Sequence, residues 1–279
     1  MNTAPLNIKQ RKLQLETGFT MHYAETGGPA GHPVIFLHGI TDSWVSFSGV
    51  LPLLPEHFHA FALDQRGHGD SERPERYDLD AFAADVKAFM AAKSIGEATL
   101  VGHSMGSYVA QRVALNHPEL VSSLVLVGSM TTPVNDVTKE LDTMFRTVTD
   151  PVNPDFVTEF QTSTIHHPVP DAFLERIIQE SLKLPARVWR DAWAGFFAGD
   201  HAPRLSEVRA PTLILWGEED GAFPLEDQTR LVDLVPDATL KRYPDTGHAL
   251  HWERAEQFVE DLVTFLQDKK SLAPASNAL

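Results

Sequence analysis

One serine, Ser104, stands between two glycines in "VGHSMG", directly after an apolar run and directly before a helical pattern. A hydroxyl in that place is either a turn residue or a nucleophile. A serine is a weak nucleophile until a base takes its proton, so the second reading needs a histidine and an acid to orient it. The chain offers both after later apolar runs: Asp220 in "LWGEEDGAFP" and His248 in "DTGHALHW". Ser104 would then attack a carbonyl while His248 accepts its proton and Asp220 fixes the imidazole tautomer. Gly102 and Gly106 suit a sharp strand-to-helix turn, where side chains two residues away must be tiny. A helix beginning at Met105 points free N–H groups and its positive end at the site. The Met105 N–H and the Ile40 N–H of the "HGI" loop are the candidate donors to an oxyanion.

Each candidate has competitors. Glu218, Glu219 and Asp245 contend with Asp220; the two glutamates read as solvent-facing. His251 contends with His248, but Gly247 permits a tight approach at His248, and His251 reads as packing beside Trp252. His103 reads as packing behind the turn. His38 is a candidate brace of the "HGI" loop and a candidate substrate contact. Arg66, in "DQRGHGDS", is a candidate for the site edge, although the stretch reads mainly as a structural turn. His57 with His59, and His166 with His167, suggest metal only weakly, because neither pair has an evident third ligand; no metal and no cofactor is expected.

The elements that must position these residues follow from periodicity. "RKLQLETGFTMHYAETG" alternates about a turn and predicts a hairpin over 11–26. "PVIFLHG", "HAFALDQ", "ATLVG", "SSLVLVG", "PTLILWG" and "ATLKRYP" predict strands, several of them apolar on both faces. Leu79, Phe82, Val86, Phe89 and Met90 predict a helix over 78–95 that Asp78 or Asp80 could cap. Further helices are predicted over "MGSYVAQRVALNHP", "LEDQTRLVDLVP" and "AEQFVEDLVTFLQDKK". Strands alternating with helices predict a mainly parallel sheet covered on both faces. In such a sheet ligands sit beyond the carboxyl ends of the strands, where Ile40, Ser104, Asp220 and His248 all fall.

The alternation stops between residues 131 and 205. That stretch holds proline-punctuated helical segments and predicts a helical cap inserted into a core made of 1–130 and 206–279. Trp189, Trp193, Phe196 and Phe197 form a stripe at helical spacing in it. Core packing is the bland reading. Trp189, Trp193 and Phe197, with Met130, are the candidate apolar substrate contacts. The closing "SLAPASNAL" reads as a frayed tail.

Composition bounds the partners. The chain has 279 residues and a formal net charge of -15, which argues against nucleic acid and anionic membranes. Cysteine is absent, which excludes disulfides, thiolate nucleophiles and cysteine-held zinc. No run approaches the length of a membrane span, and the first residues lack a signal-peptide pattern. A cytoplasmic location is the expectation.

"FLHG", "DQRGHGDS", "GHSMG", "LWGEEDGAFP" and "DTGHALHWERAEQF", in that order over residues 11–268, resemble the α/β-hydrolase superfamily, in its small lidded branch of esterases and lactonases. The resemblance implies a mostly parallel eight-stranded sheet with helices on both faces and a helical cap. It implies Ser104 as nucleophile, Asp220 as acid, His248 as base, and the Ile40 and Met105 amides as oxyanion hole. The expected activity is cofactor-free hydrolysis of a small-molecule ester or lactone with an apolar part. Ser107 departs from the family, where a second glycine is common. Two rivals stand beside this reading. Carbon–carbon bond hydrolases of dienoate ring-cleavage products keep a serine, but their elbow typically reads "GNSMGG", from which His103 and Ser107 depart. A ligand-binding receptor on the same fold, with little turnover, would keep the same pocket.

Overall fold

The computed structural model describes the backbone of residues 7–272 and the side chains of 7–268. The strands are β1 (Lys9–Gln14), β2 (Thr20–Gly27), β3 (His32–Leu37), β4 (Phe58–Leu63), β5 (Ala98–His103), β6 (Val121–Val127), β7 (Thr212–Gly217) and β8 (Ala238–Tyr243). The helices are α1 (Leu79–Ala92), α2 (Met105–Asn116), α3 (Asp136–Arg146), α4 (Pro154–Thr162), α5 (Asp171–Leu182), α6 (Ala186–Phe197), α7 (Leu225–Leu234), the short α8 (Leu250–Glu253) and α9 (Ala255–Leu272). The strands form one eight-stranded sheet in the order β1-β2-β4-β3-β5-β6-β7-β8. β2 runs antiparallel to β1 and β4; the remaining neighbours are parallel. The hairpin, the parallel strands and the flanking helices are those the periodicity predicts. Most of the "SLAPASNAL" tail, from residue 273, lies outside the described residues.

Alternation along the central strands builds two cores. Ile35 and Leu37 of β3, Leu124 and Leu126 of β6 and Ile214 of β7 join one. Val34 and Phe36, Val125 and Val127, and Leu213 and Leu215 join the other. A strand that is apolar on both faces needs cover on both. On the first face Phe82 and Phe89 of α1 and Val109 and Val113 of α2 supply it. On the second, Phe258, Leu262 and Leu266 of α9 do so, together with Trp44 and Phe47 of a short turn after β3. Asp78 caps α1, accepting from the Ala81 N–H at 3.0 Å, which decides between the two aspartates.

The "DQRGHGDS" turn is structural. Asp64 accepts from the backbone N–H groups of Trp44 and Asp70 and lies 2.7 Å from His22. Arg66 forms a two-pronged ion pair with Asp85 of α1, at 2.6 and 2.7 Å, and donates to the Arg76 carbonyl. Its donors are thus held inside the fold, which corrects its candidacy for the site edge.

Helices α3 to α6 lie between β6 and β7. Aromatic rings hold them together: Phe145 stacks on Trp193 at 4.5 Å, and Trp189 sits 5.3, 5.6 and 6.0 Å from Phe145, Phe156 and Phe160. Among the described residues no helix is long and apolar enough to cross a membrane.

Two glycines let α2 approach the sheet. A Cβ on Gly102 would lie 2.3 Å from the Gly106 carbonyl oxygen, and one on Gly106 would lie 2.1 Å from that of Leu37. Backbone on both sides leaves no flexible group to yield. Gly106→Ala should therefore lower the thermal midpoint strongly, by an overpacking cost of at least about 1–3 kcal/mol. Gly96→Ala, with open space around its Cβ, should not. Equal midpoints for the two variants in thermal melts would refute the close approach.

Candidate active site

Strand register brings the candidates to one edge. Leu37 pairs with Gly102, Gly102 with Leu126, and Val127 with Leu215, so β3, β5, β6 and β7 end at one level. β3 pairs with β4 on one side and β5 on the other, so the chain reverses direction across the sheet there. Crevices form at such points. Ser104 follows β5 directly and carries a left-handed backbone, φ +51°, with its N–H held by the Val127 carbonyl at 2.9 Å. For a non-glycine residue this conformation costs about 1–3 kcal/mol and persists only where its surroundings enforce it. Met105 is the first residue of α2, so its N–H has no partner within the helix.

The "HGI" loop is fixed from behind. His38 donates from Nδ1 to the Gly39 carbonyl at 2.7 Å and accepts at Nε2 from the Gln65 N–H at 3.1 Å. The Gln65 side chain donates back to the His38 carbonyl at 2.7 Å. Both ring nitrogens of His38 are thereby occupied and the residue is fully buried. It braces the loop, which corrects its candidacy as a substrate contact. Thr41, at φ +66°, turns the chain just past Ile40.

His248 donates from Nδ1 to Asp220 Oδ2 at 2.8 Å. The other Asp220 oxygen accepts from the Ala222 and Phe223 N–H groups at 2.8 and 3.0 Å. Both carboxylate oxygens are used and the side chain is fully buried. With Nδ1 committed, Nε2 is the nitrogen left for proton transfer. Gly128, at φ +51°, lies against the imidazole, and a Cβ there would approach Nδ1 to 2.8 Å. The rival acids are elsewhere. Glu218 pairs with Arg242 at 2.7 Å, Glu219 is exposed, and Asp245 is exposed beside His166 and His167. His251 lies 3.0 Å from Ser46 Oγ and 4.8 Å from the Phe47 ring, a packing role.

A cavity of about 280 Å³ opens at this edge. Gly39, Ile40, Asp42, His103, Ser104 and His248 line it from the sheet, with Phe223 and Trp252 beside them. Val137, Leu141, Phe160, Gln161, Trp193 and Phe196 line it from the inserted helices. Of the aromatic stripe, then, Trp193 reaches the wall and Phe196 joins it. Trp189 does not, because it turns into the ring cluster around Phe145. Phe197 does not, because it stacks on Trp193 at 5.9 Å. Met130 is buried in the sheet core, its carbonyl taken by the Gln111 amide. Neither Met130, Trp189 nor Phe197 lines the cavity, and their candidacies are corrected accordingly.

Sequence reasoning missed Asp42 and Gln161. Asp42 Oδ1 accepts from the Gln161 amide at 3.0 Å, and Oδ2 from the Ser46 hydroxyl at 3.4 Å. Burial pushes its pKa up to about 7, against the opposing pull of those two hydrogen bonds and of His248. Its place two residues beyond Ile40 was a legible signal. Gln161 offered none. Burial, with His251 and His248 nearby, holds His103 well below the usual imidazole range, and burial likewise lowers His251 to about 3. Ser107 fits the elbow helix without harm. It donates to the Ser104 carbonyl at 2.6 Å and lies 2.7 Å from Ser129 Oγ. His59 pairs with Glu25 at 2.7 Å. His166 and His167 do have a third polar partner, Asp245, at 3.1 and 2.7 Å, which corrects the expectation that none exists.

Comparison with known proteins agrees with this architecture. A 2-hydroxy-6-oxononadienedioate/2-hydroxy-6-oxononatrienedioate hydrolase of Pseudomonas putida is 27% identical, over 93% of this chain and 94% of its own. An esterase from Exiguobacterium antarcticum superposes with a TM-score of 0.83 at 22% identity, covering 93% of this chain and 100% of its own. A meta-cleavage product hydrolase from Pseudomonas fluorescens superposes at 0.80 with 24% identity, covering 92% and 97%. The name of the Pseudomonas putida relative matches the dienoate carbon–carbon reading better than the ester or lactone reading. The family model described as "alpha/beta hydrolase fold" matches residues 32–255. With that match and this sheet, the chain belongs to the α/β-hydrolase family.

Proposed function

We propose that the chain is a serine hydrolase that opens an uncharged, largely apolar carboxylic ester or lactone. The observation that carries the reading is the 2.8 Å bond from His248 to Asp220, on a wall shared with Ser104. Ser104 Oγ attacks the carbonyl carbon as His248 Nε2 takes its proton. The Ile40 and Met105 N–H groups stabilise the oxyanion. His248 then protonates the leaving alcohol, and water attacks the acyl-enzyme by the same route. Helices α3 to α6 act as the lid that keeps the reaction dry.

The wall supports an uncharged substrate. Among the described residues lining it, the ionisable ones are Asp42, His103 and His248, with no lysine or arginine. A substrate carboxylate would be desolvated beside Asp42 without a cation to pair it, which costs several kcal/mol. A second reading, hydrolysis of a carbon–carbon bond next to a ketone, is favoured by the name of the Pseudomonas putida relative. The dienedioate in that name carries two carboxylates, and this wall offers them no cationic partner.

Two outcomes are expected. Purified protein should release p-nitrophenol from acetate and butyrate esters faster than from octanoate, because the cavity of about 280 Å³ is small for a ligand site. Ser104→Ala should lose about 10³-fold or more of that turnover. Ester turnover retained by Ser104→Ala would refute the nucleophile. Ser104-dependent bleaching of a ring-cleavage dienoate, with no ester turnover, would select the carbon–carbon reading.

Asp42 makes stability depend on pH. A carboxyl whose folded pKa lies above its ordinary value of 3.8 stabilises the fold below that value. The contribution fades as pH rises through about 7. Asp42→Asn removes it. The thermal midpoint of Asp42→Asn relative to wild type should therefore be higher at alkaline pH than at about pH 5. A difference independent of pH would refute the raised pKa.

A further inference from the structure

We propose that His166, His167 and Asp245 form a surface site for a divalent transition metal of zinc type, which clips the α4–α5 loop to the loop carrying His248. The two imidazoles belong to adjacent residues, yet both Nε2 atoms converge on one carboxylate, at 3.1 Å from Oδ1 and 2.7 Å from Oδ2. The three ligand atoms lie within 4.8 Å of one another. Zinc held tetrahedrally at about 2.0–2.2 Å from nitrogen and oxygen spaces its ligands about 3.3–3.6 Å apart. Small side-chain rotations close that difference. The three side chains are 39%, 42% and 63% exposed, so they have room to rotate and leave a coordination position open to water.

The backbone beneath is organised independently of these side chains. Glu253 accepts from the His166 N–H and the Gly247 N–H on one oxygen, at 3.1 and 2.9 Å, and from the His167 N–H on the other, at 2.9 Å. The Ala249 N–H donates to the Thr164 carbonyl at 2.8 Å. A Cβ on Gly247 would lie 2.6 Å from the His166 nitrogen, so the two loops are in backbone contact. The histidine pair is therefore presented to Asp245 from a fixed platform, and the ligands come from both loops. Two imidazole nitrogens and one carboxylate select zinc, cobalt or nickel over magnesium or calcium. Arg254 is the competing cation: its guanidinium lies 3.9 Å from Asp245 Oδ2 and donates to the Asp245 carbonyl at 3.1 Å. A bound metal has to outcompete that contact, which weakens the site.

The test uses tag-free, chelator-treated full chain. Titration calorimetry with zinc chloride should show one equivalent bound with a micromolar Kd, and zinc should raise the thermal midpoint. Cobalt(II) should give a visible absorption band on the same stoichiometry. Asp245→Asn is the main variant, since asparagine tolerates the left-handed backbone at φ +53°. It and His167→Ala should each weaken binding at least 10-fold and abolish the cobalt band. His117→Ala, at a histidine outside the cluster, should change neither. If the wild type binds no zinc, the cluster is an ion pair only and the proposal fails. Equal binding by wild type and Asp245→Asn would place the metal elsewhere and overturn it as well. Ester turnover is not the readout, so the outcome is independent of the function proposed above.

Discussion

The left-handed backbone of Ser104 is the constraint on which the rest of the site depends. It lifts one hydroxyl out of the sheet edge and turns the chain into α2 within a single residue. Such strain has to be held from outside. Here the Val127 carbonyl holds the Ser104 N–H, and bare glycines at 102 and 106 let the α2 backbone lie against β3 and β5. Those contacts require β3, β5 and β6 to end in register, which in turn requires central strands apolar on both faces. The two cores therefore position the hydroxyl as directly as any residue touching it.

Much of this was legible in the sequence, for a physical reason. A doubly covered strand must be continuously apolar, and a strained elbow must be flanked by glycine, so both leave local marks. The order of serine, acid and histidine after β5, β7 and β8 left another such mark. Legibility fell where one helix face had to be assigned among several neighbours. The stripe on α6 marks Trp189, Trp193, Phe196 and Phe197 equally, because spacing says only that they are near one another. Which of them meets the cavity depends on where Phe145, Phe156 and Phe160 arrive from other helices. Gln161 reaches Asp42 across 119 positions of chain, and Asp245 meets His166 across 79. No local pattern encodes such pairs. Asp42 differs, since its closeness to Ile40 was visible; what the sequence could not say is that it would be buried.

Burial also sets one histidine apart from its neighbours at the cavity. His38, His103 and His251 crowd the same edge, each buried, and desolvation holds each below the ordinary imidazole range. A protonated ring at any of those positions would have no carboxylate hydrogen-bonded to it and would repel its neighbours. His248 alone of the four donates to a carboxylate, and that carboxylate is itself fixed by two backbone N–H groups. The neutral His103 ring packs against the His248 ring at 4.8 Å between centroids, without adding positive charge, and His251 packs on His103 in turn at 4.6 Å. An imidazolium at His248, of the kind the proposed attack by Ser104 requires, would have that one carboxylate to stabilise it. Among the described residues of the cavity wall Asp42 is the one carboxylate and no lysine or arginine joins it, a setting that suits the uncharged substrate proposed above.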